Sequence, residues 1–338
     1  MLKNNKSKLK NYLYFCNSYL IYMQNKIHSL DYIRVVAIFM ILLCHYFMFS
    51  DLNTGVGRYF AGVGNMIFFL VSAMLYGTKH VDGGISVEYK RFIAGRVIKL
   101  GIPTWTFLTI LIVLLLVFGV RFSWNDALLN YLFLGYLGKL PGNGHLWFLT
   151  VIMACYAEML LLLRFEANKK YTPWIILIVS IIMLIAGEGL GIPSIALLTL
   201  GLFGFVFMKS SWLLQKSKSM TWWMSILIIA LNVWCFYLEY NGLFVKSRSM
   251  HFLLTSICGV SLLSMMLRFI PNNSNRLVSL ICGISFEIYL VHHTLCAGPF
   301  VAITHWPFNH VIDFVILVIA SIIFATLLKI LSFRTMRR

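Results

Sequence analysis

Apolar runs of membrane-spanning length follow one another along most of the 338-residue chain, separated by short polar segments. A transmembrane helix needs about 20 mainly apolar residues, and only helices or closed barrels satisfy their backbone in lipid. The runs lack the alternation of strands, so they predict an all-α fold, a polytopic membrane helical bundle of about ten transmembrane helices. The expected spans lie near residues 31–50, 59–78, 100–120, 144–163, 172–189, 192–208, 221–239, 250–268, 278–298 and 308–328.

Composition agrees with this pattern and leaves no room for a separate soluble catalytic domain. The chain is 60% hydrophobic and only 12% charged, whereas soluble domains carry roughly 25% charged residues. We divide it into a cytoplasmic or interfacial N-terminal segment (1–30), a transmembrane domain (31–330) and a basic tail (331–338). The apolar stretch 11–23 is too short to span a bilayer, and Met23 is an alternative start to Met1.

The net charge of +17 would suggest nucleic acid in a soluble protein, but here it predicts topology. Cytoplasmic loops of membrane proteins carry an excess of Lys and Arg. Of the 28 Lys and Arg residues, 22 fall in the termini and even-numbered loops and 5 on the opposite side. Both termini are therefore expected in the cytoplasm. The expected partners include membrane lipids and no nucleic acid.

The seven cysteines are scattered and never form a C-x-x-C pair. An odd number without such spacing supports neither a disulfide framework nor a zinc site. We interpret them as small hydrophobic residues and expect no metal.

Two ionisable residues lie in the first span. Arg34 and His45 are eleven residues apart, which places them on one helical stripe about 16 Å apart. Arg34 could be a boundary residue that reaches the headgroups, and His45 could be a neutral core histidine. Because intramembrane ionisable residues are costly and both lie on one face, we favour function.

A basic run precedes the third span. Arg91, Arg96 and Lys99 at a helix start could bind the phosphates of an anionic cofactor. The alternative is a plain positive-inside anchor.

Other candidates line the second and fourth spans. Ser72 is a polar residue of the second span, and His145 and Trp147 open the fourth at its outer boundary. Aromatic residues are common at interfaces and also stack on sugar rings. Glu158 lies deeper in the fourth span, where we expect an arginine partner or a protonated carboxyl.

The ninth span carries a polar stripe. Ser285, Tyr289 and His292 lie at i, i+4 and i+7, while Glu287 and His293 fall off that face. Three aligned polar groups are harder to explain as core residues than one.

Five of these segments, in order, resemble motifs of the acyltransferase 3 family of integral membrane acyltransferases. The similarity rests on Arg34-x10-His45, Phe68-Phe69-Leu70-Val71-Ser72-Ala73, Arg96-Val97-Ile98-Lys99 before Pro103, His145-Leu146-Trp147-Phe148-Leu149 and Ser285-Phe286-Glu287-Ile288-Tyr289-Leu290-Val291-His292. Two positions depart from the family pattern: Ala73 replaces a glycine, and Lys99 replaces an arginine and cannot grip phosphate bidentately. The last span ends about ten residues before the C-terminus, which resembles the stand-alone members that lack an SGNH domain.

The resemblance implies an enzyme, an acetyl-CoA-dependent O-acetyltransferase. Such an enzyme moves an acyl group, usually acetyl, from cytoplasmic acyl-CoA to a hydroxyl of a cell-envelope glycan or lipid-linked sugar. The expected location is the plasma (inner) membrane of a bacterium. Acceptor, acyl chain length and oligomeric state stay open.

The mechanism we expect assigns a role to each candidate. Arg96, Arg91 and Lys99 hold the CoA phosphates, and Arg34 positions the donor. His45 is the catalytic group, either as general base or as acyl-carrying nucleophile. Ser72, Tyr289 and His292 line the path and donate hydrogen bonds to the oxyanion, and Trp147, Ser285 and Glu158 complete the path. The alternative function is a transporter or flippase for a lipid-linked glycan, which would need no acyl-CoA.

Overall fold

The computed structural model describes residues 27–50, 52–84, 87–189, 195–243, 247–300 and 309–336, and this part of the chain folds into helices without a strand. In chain order the helices are α1 Ser29–Phe49, α2 Thr54–Tyr76, α3 Tyr89–Arg96, α4 Ile102–Val117, α5 Trp124–Tyr131, α6 Trp147–Arg164, α7 Thr172–Gly189, α8 Ile195–Met208, α9 Ser210–Lys218, α10 Trp222–Tyr240, α11 Arg248–Phe269, α12 Arg276–Gly283, α13 Ser285–Cys296 and α14 His310–Met336. The N-terminal segment 1–26, with its alternative start Met23, lies outside the described residues.

Every expected span coincides with an apolar helix, but length and composition support seven to nine crossings among the described residues rather than ten. Seven helical segments are long enough by themselves. Two further candidates are bent pairs, α8 with α9 at 78° and α12 with α13 at 61°. The tenth, α7, is apolar but shorter than a full span. The count of ten and the cytoplasmic termini therefore stay predictions, while the all-helical membrane fold is confirmed.

The ninth span is not one continuous helix, contrary to expectation. Helix α12 ends at Gly283, and α13 begins at Ser285 after the 61° bend. Glycine has a low helix propensity, so Gly283 favours the break. The bend gives α13 a direction of its own inside the bundle.

The basic segment 79–99 is largely helical rather than a loop. A π-helix Gly77–Asp82 extends α2, and another, Val97–Gly101, joins α3 to α4, so Tyr89–Val117 forms one candidate span. Pro103 lies just after the second π-helix. Because proline lacks an N–H and its ring crowds the preceding turn, a local π segment is a common accommodation. Arg91, Arg96 and Lys99 therefore lie along a helix that continues into the membrane.

Helix α2 forms the centre of the bundle. Buried residues make up 72% of its apolar window, against 17% for the lipid-facing α10. Small residues permit this close packing. A Cβ at Gly64 would lie 3.0 Å from the Met40 side chain of α1, and one at Gly259 of α11 would lie 2.9 Å from Met66 of α2.

A buried carboxylate ties three helices together at the end of the bundle where α2 starts. Glu239 of α10 is 1% exposed and accepts from Arg58 Nε of α2 at 3.4 Å and from His251 of α11. Burying a charge is tolerated when it is paired in this way. The contact fixes the end of the bundle at which α1 ends and α2 begins.

Candidate active site

Four histidines from three segments form a cluster near the end of α1. His45 comes from α1, His145 from the loop before α6, and His292 and His293 from α13. The ring centroid of His45 lies 4.8 Å from those of His292 and His293 and 6.4 Å from that of His145. His145 stacks on His293 at 4.6 Å, with 16° between the ring planes.

Hydrogen-bond partners assign the protons of two of these rings. His292 Nδ1 lies 3.1 Å from the Ile288 carbonyl, which can only accept, so this nitrogen carries the hydrogen of the neutral ring and Nε2 keeps the lone pair. His45 Nδ1 lies 3.0 Å from that Nε2 and 3.0 Å from the Ile41 carbonyl. Both neighbours are acceptors, so His45 Nδ1 carries a hydrogen. The lone pair of His45 is consequently on Nε2.

That Nε2 atom is open. It makes no hydrogen bond within the described chain, and it is not fully buried. His45 is half-buried, whereas His292, His145 and His293 are 0%, 2% and 7% exposed. The cluster therefore presents one accessible basic nitrogen, and a second imidazole accepts from the other side of the same ring.

The backbone around this cluster is held by the histidines themselves. His293 Nδ1 donates to the Gly142 carbonyl at 2.9 Å, and the Tyr289 hydroxyl donates to the His145 carbonyl. Gly142 has φ +73°, a left-handed conformation that favours glycine. These contacts fix the loop before α6 against α13.

Arg34 lies further along α1, toward the opposite end of the bundle. Its Nη1 lies 3.6 Å from Cys282 Sγ at the end of α12, and its guanidinium lies 6.0 Å from the Phe68 ring centroid. Arg34 Nε is buried without a hydrogen-bond partner. Phe148 stands between, 5.5 Å from Phe68 and 4.8 Å from the Tyr289 ring. The rings of Phe68 and Phe148 thus form an aromatic wall between Arg34 and the histidine cluster.

The basic residues gather at the opposite end of the bundle. The Arg96 guanidinium lies 5.4, 5.5 and 5.8 Å from the ring centroids of Tyr76, Phe92 and Tyr156. Such cation–π contacts orient the side chain, and Arg96 Nε is buried without a partner. Lys99 is exposed, and its ammonium group lies within electrostatic range of the Arg96 guanidinium. Like charges held together favour an anion between them.

Tyr76, Phe92 and Tyr156 form an aromatic cage around the Arg96 guanidinium, and a cavity of about 230 Å³ lies beside this cage. His80, Glu166 and Lys169 line it together with apolar side chains of α6 and α8. His80 stacks on Tyr76, which itself contacts Arg96. Arg91 is exposed on α3. The geometry thus separates a cationic end with a cavity from the end that carries the histidine cluster.

A family model described as an acyltransferase domain matches residues 27–330, nearly the whole chain. The chain belongs to the acyltransferase 3 family. No curated protein and no solved structure matches it.

In this member of the acyltransferase 3 family, the predicted site residues do not all lie in one place. His45, Tyr289 and His292 come together around the cluster. Arg34 lies at the far side of the aromatic wall, with Ser285 near it through a 2.9 Å hydrogen bond to the Cys282 carbonyl.

Three predicted path residues lie elsewhere. Trp147 is half-buried at the first turn of α6, 6.4 Å from the Phe148 ring. Glu158 packs against α8, where its Oε1 lies 2.6 Å from the Cβ position of Gly204. The expected arginine partner of Glu158 is absent from the described residues, since no ion pair involves it. The Ser72 hydroxyl is bonded to the Phe68 carbonyl at 3.3 Å.

Two residues of the cluster were missed as site residues. His293 falls off the predicted stripe, yet it contacts His45 because the loop before α6 and α1 pack on adjacent faces of α13. His145 was seen only as part of a boundary motif. The available signal was the pair His292-His293 itself, since two consecutive histidines in an apolar helix cannot both face lipid at low cost.

Among the described residues, no group of three or more His, Cys, Asp or Glu side chains has the arrangement of a metal site.

Proposed function

We propose that this membrane acyltransferase is an O-acetyltransferase. It transfers an acyl group, acetyl in the first instance, from cytoplasmic acyl-CoA to a hydroxyl of a cell-envelope glycan or lipid-linked sugar. The observation that carries the proposal is the open Nε2 of His45, with its lone pair assigned by the hydrogen bonds on Nδ1.

The chemistry follows from that tautomer. His45 Nε2 accepts the proton of the acceptor hydroxyl while the hydroxyl oxygen bonds to the thioester carbonyl carbon. The tetrahedral intermediate then expels the CoA sulfur, which receives the proton from His45. During this step the imidazolium keeps its Nδ1–H on His292 Nε2, 3.0 Å away. In the alternative, Nε2 attacks the thioester first and carries the acyl group as an acyl-imidazole.

The donor enters from the cationic end. Arg96 and Lys99, with Arg91 on the exposed face of α3, bind the CoA phosphates, because guanidinium and ammonium groups are good phosphate ligands. The aromatic cage keeps the Arg96 guanidinium oriented and leaves Nε without an internal partner. Arg34 lies between the donor site and His45 and positions the thioester.

In the proposed orientation, this cationic end faces the cytoplasm, and the protein lies in a bacterial plasma membrane. The charge asymmetry of 22 against 5 Lys and Arg residues supports it. The acceptor then meets the histidine cluster from the outer side, so the acyl group crosses most of the bilayer inside the protein.

Free-CoA release by the purified protein in lipid tests the proposal. The assay contains acetyl-CoA and a crude cell-envelope glycan extract. We expect glycan-dependent release that is abolished in His45→Ala. His28→Ala is the matched control, since His28 precedes the opposite end of α1 and makes no side-chain cap hydrogen bond. Folded wild-type protein that releases no CoA with any acyl chain would contradict acyl transfer and favour glycan transport.

A further inference from the structure

Acyl transfer through a tetrahedral intermediate is accelerated by a hydrogen-bond donor at the carbonyl oxygen. Removing one such donor typically costs about 10²–10³ in kcat in other acyl-transfer enzymes. The donors expected from the sequence are already engaged: the Ser72 hydroxyl bonds to Phe68 and the Tyr289 hydroxyl to His145. His292 donates to Ile288 and accepts from His45. These residues have no hydrogen left for the oxyanion.

His293 is no better suited. Its Nδ1 hydrogen is used by the Gly142 carbonyl at 2.9 Å, so Nε2 of the neutral ring can only accept. In the cluster of four imidazoles this leaves His145.

Both ring nitrogens of His145 are buried without a hydrogen-bond partner. The backbone of Leu290 lies close to the ring, but its geometry falls outside that of a hydrogen bond. A neutral imidazole always carries one N–H, so His145 must have an unused donor and an unused acceptor. Buried unpaired polar atoms are rare and costly in folded proteins, and they are expected at functional positions.

The loop that carries His145 is firmly held, so the unpaired atoms do not reflect loose packing. Its carbonyls at Gly142 and His145 accept from His293 and Tyr289. Asn143 between them is 1% exposed, and both polar atoms of its side chain are also buried without a partner. Two neighbouring side chains therefore retain hydrogen-bonding capacity in a segment whose backbone is fixed.

We propose that the His145 N–H donates a hydrogen bond to the acyl carbonyl oxygen and stabilises the oxyanion that forms there. This rests on the proposed acyl transfer. His145 does not exchange its proton: the hydroxyl proton moves to His45 Nε2 and then to the departing CoA sulfur, while the C–O bond forms and the C–S bond breaks. The ring centroids of His45 and His145 lie 6.4 Å apart, so the proposed donor and the proposed base belong to the same cluster.

Two substitutions separate this role from packing. His145→Phe keeps a planar ring and removes both nitrogens, whereas His145→Gln keeps an amide N–H. We expect His145→Phe to lower kcat about 10²–10³-fold with an unchanged KM for acetyl-CoA. His145→Gln should recover part of kcat. The melting temperature of His145→Phe should not fall, because an apolar ring replaces two unsatisfied buried atoms.

A spectroscopic measurement reports the bond directly. Isotope-edited infrared spectra of [1-¹³C]acetyl-CoA bound to the protein should show a thioester C=O stretch lowered by the N–H donor. The lowering should disappear in His145→Phe and persist in the His28→Phe control.

Three results would overturn the proposal. Folded His145→Phe protein with wild-type kcat removes the donor role while leaving acyl transfer intact. Equal losses of kcat in both variants, together with lowered melting temperatures, indicate a packing role. A wild-type protein that neither binds nor turns over acyl-CoA refutes the proposed function and this role with it. The failure of this role alone is distinguishable, because wild-type CoA release that depends on His45 is then still present.

Discussion

In the proposed mechanism, the role of His45 depends on which ring nitrogen carries the hydrogen. Two acceptors, the Ile41 carbonyl and His292 Nε2, each lie 3.0 Å from Nδ1 and keep the hydrogen there. An arrangement of this kind orients the ring and stabilises the imidazolium that forms during proton transfer, as the orienting carboxylate does in serine proteases. In the proposed mechanism, His292 is therefore a positioning residue for His45.

Replacing His292 tests this relation. We expect His292→Leu to lower kcat by less than the about 10⁴-fold lost when a protease triad loses its orienting carboxylate, because the Ile41 carbonyl still accepts from Nδ1. His292→Asn, which retains an acceptor oxygen, should lose less than His292→Leu. The measurement is kcat against pH for both variants. Equal activity of His292→Leu and wild type would contradict the positioning role.

Sequence reasoning reached half of the cluster. His45 and His292 follow from helical periodicity, because each belongs to a polar stripe on its own span. His145 and His293 could not be found in this way. Their proximity depends on where the loop before α6 returns to α13, which is a tertiary contact through the Gly142 carbonyl.

At the scale of elements, α13 and the loop before α6 act as one unit. Gly298, just after α13, has φ +93°, and a Cβ there would lie 2.4 Å from Gly142 Cα. Only glycine permits this approach. The backbone contact sets the depth at which the loop, and with it His145, enters the cluster.

Gly298→Ala should therefore lower both the melting temperature and activity. Its left-handed φ is strained for alanine, typically at a cost of about 1–3 kcal/mol, and the clash with Gly142 adds displacement of the loop. Gly119→Ala is the matched control, because Gly119 has φ +66° and nothing within 4 Å of its Cβ position. We expect the control to retain activity. Loss of activity in both variants alike would show that backbone strain, and not the contact, is responsible.

The helices themselves were largely predictable, and their breaks were not. Apolar length located the apolar helices, since lipid demands continuous hydrogen-bonded backbone. The 61° bend at α12–α13 and the helical course of the basic segment from Tyr89 depend on packing and on the local effect of Pro103. Periodicity carries no signal for either.

At the scale of the molecule, the two ends have different chemistry. One end carries the histidine cluster, and the other carries Arg96, Lys99 and the cavity beside the aromatic cage. Arg34 and the rings of Phe68 and Phe148 lie between them. Such a layout suits a donor and an acceptor that approach from opposite sides of a membrane.

Labelling at the two ends of α10 tests the orientation. We expect Asn241→Cys to react with a membrane-impermeant maleimide on intact cells, and Ser219→Cys to react only after permeabilisation. Both positions are exposed, and the six cysteines of the described chain are buried. The charge asymmetry predicts this difference. Labelling of both variants from the same side would contradict the orientation and the crossing of α10.

In the proposed mechanism, His45 mediates the passage of an acyl group from CoA to a glycan hydroxyl. The most direct measurement follows [1-¹⁴C]acetyl-CoA label into the glycan fraction in proteoliposomes of wild-type protein, His45→Ala and His28→Ala. We expect base-labile label in the glycan with wild type and His28→Ala, and none with His45→Ala although that variant remains folded and inserted. Undiminished labelling with His45→Ala would contradict the role of His45.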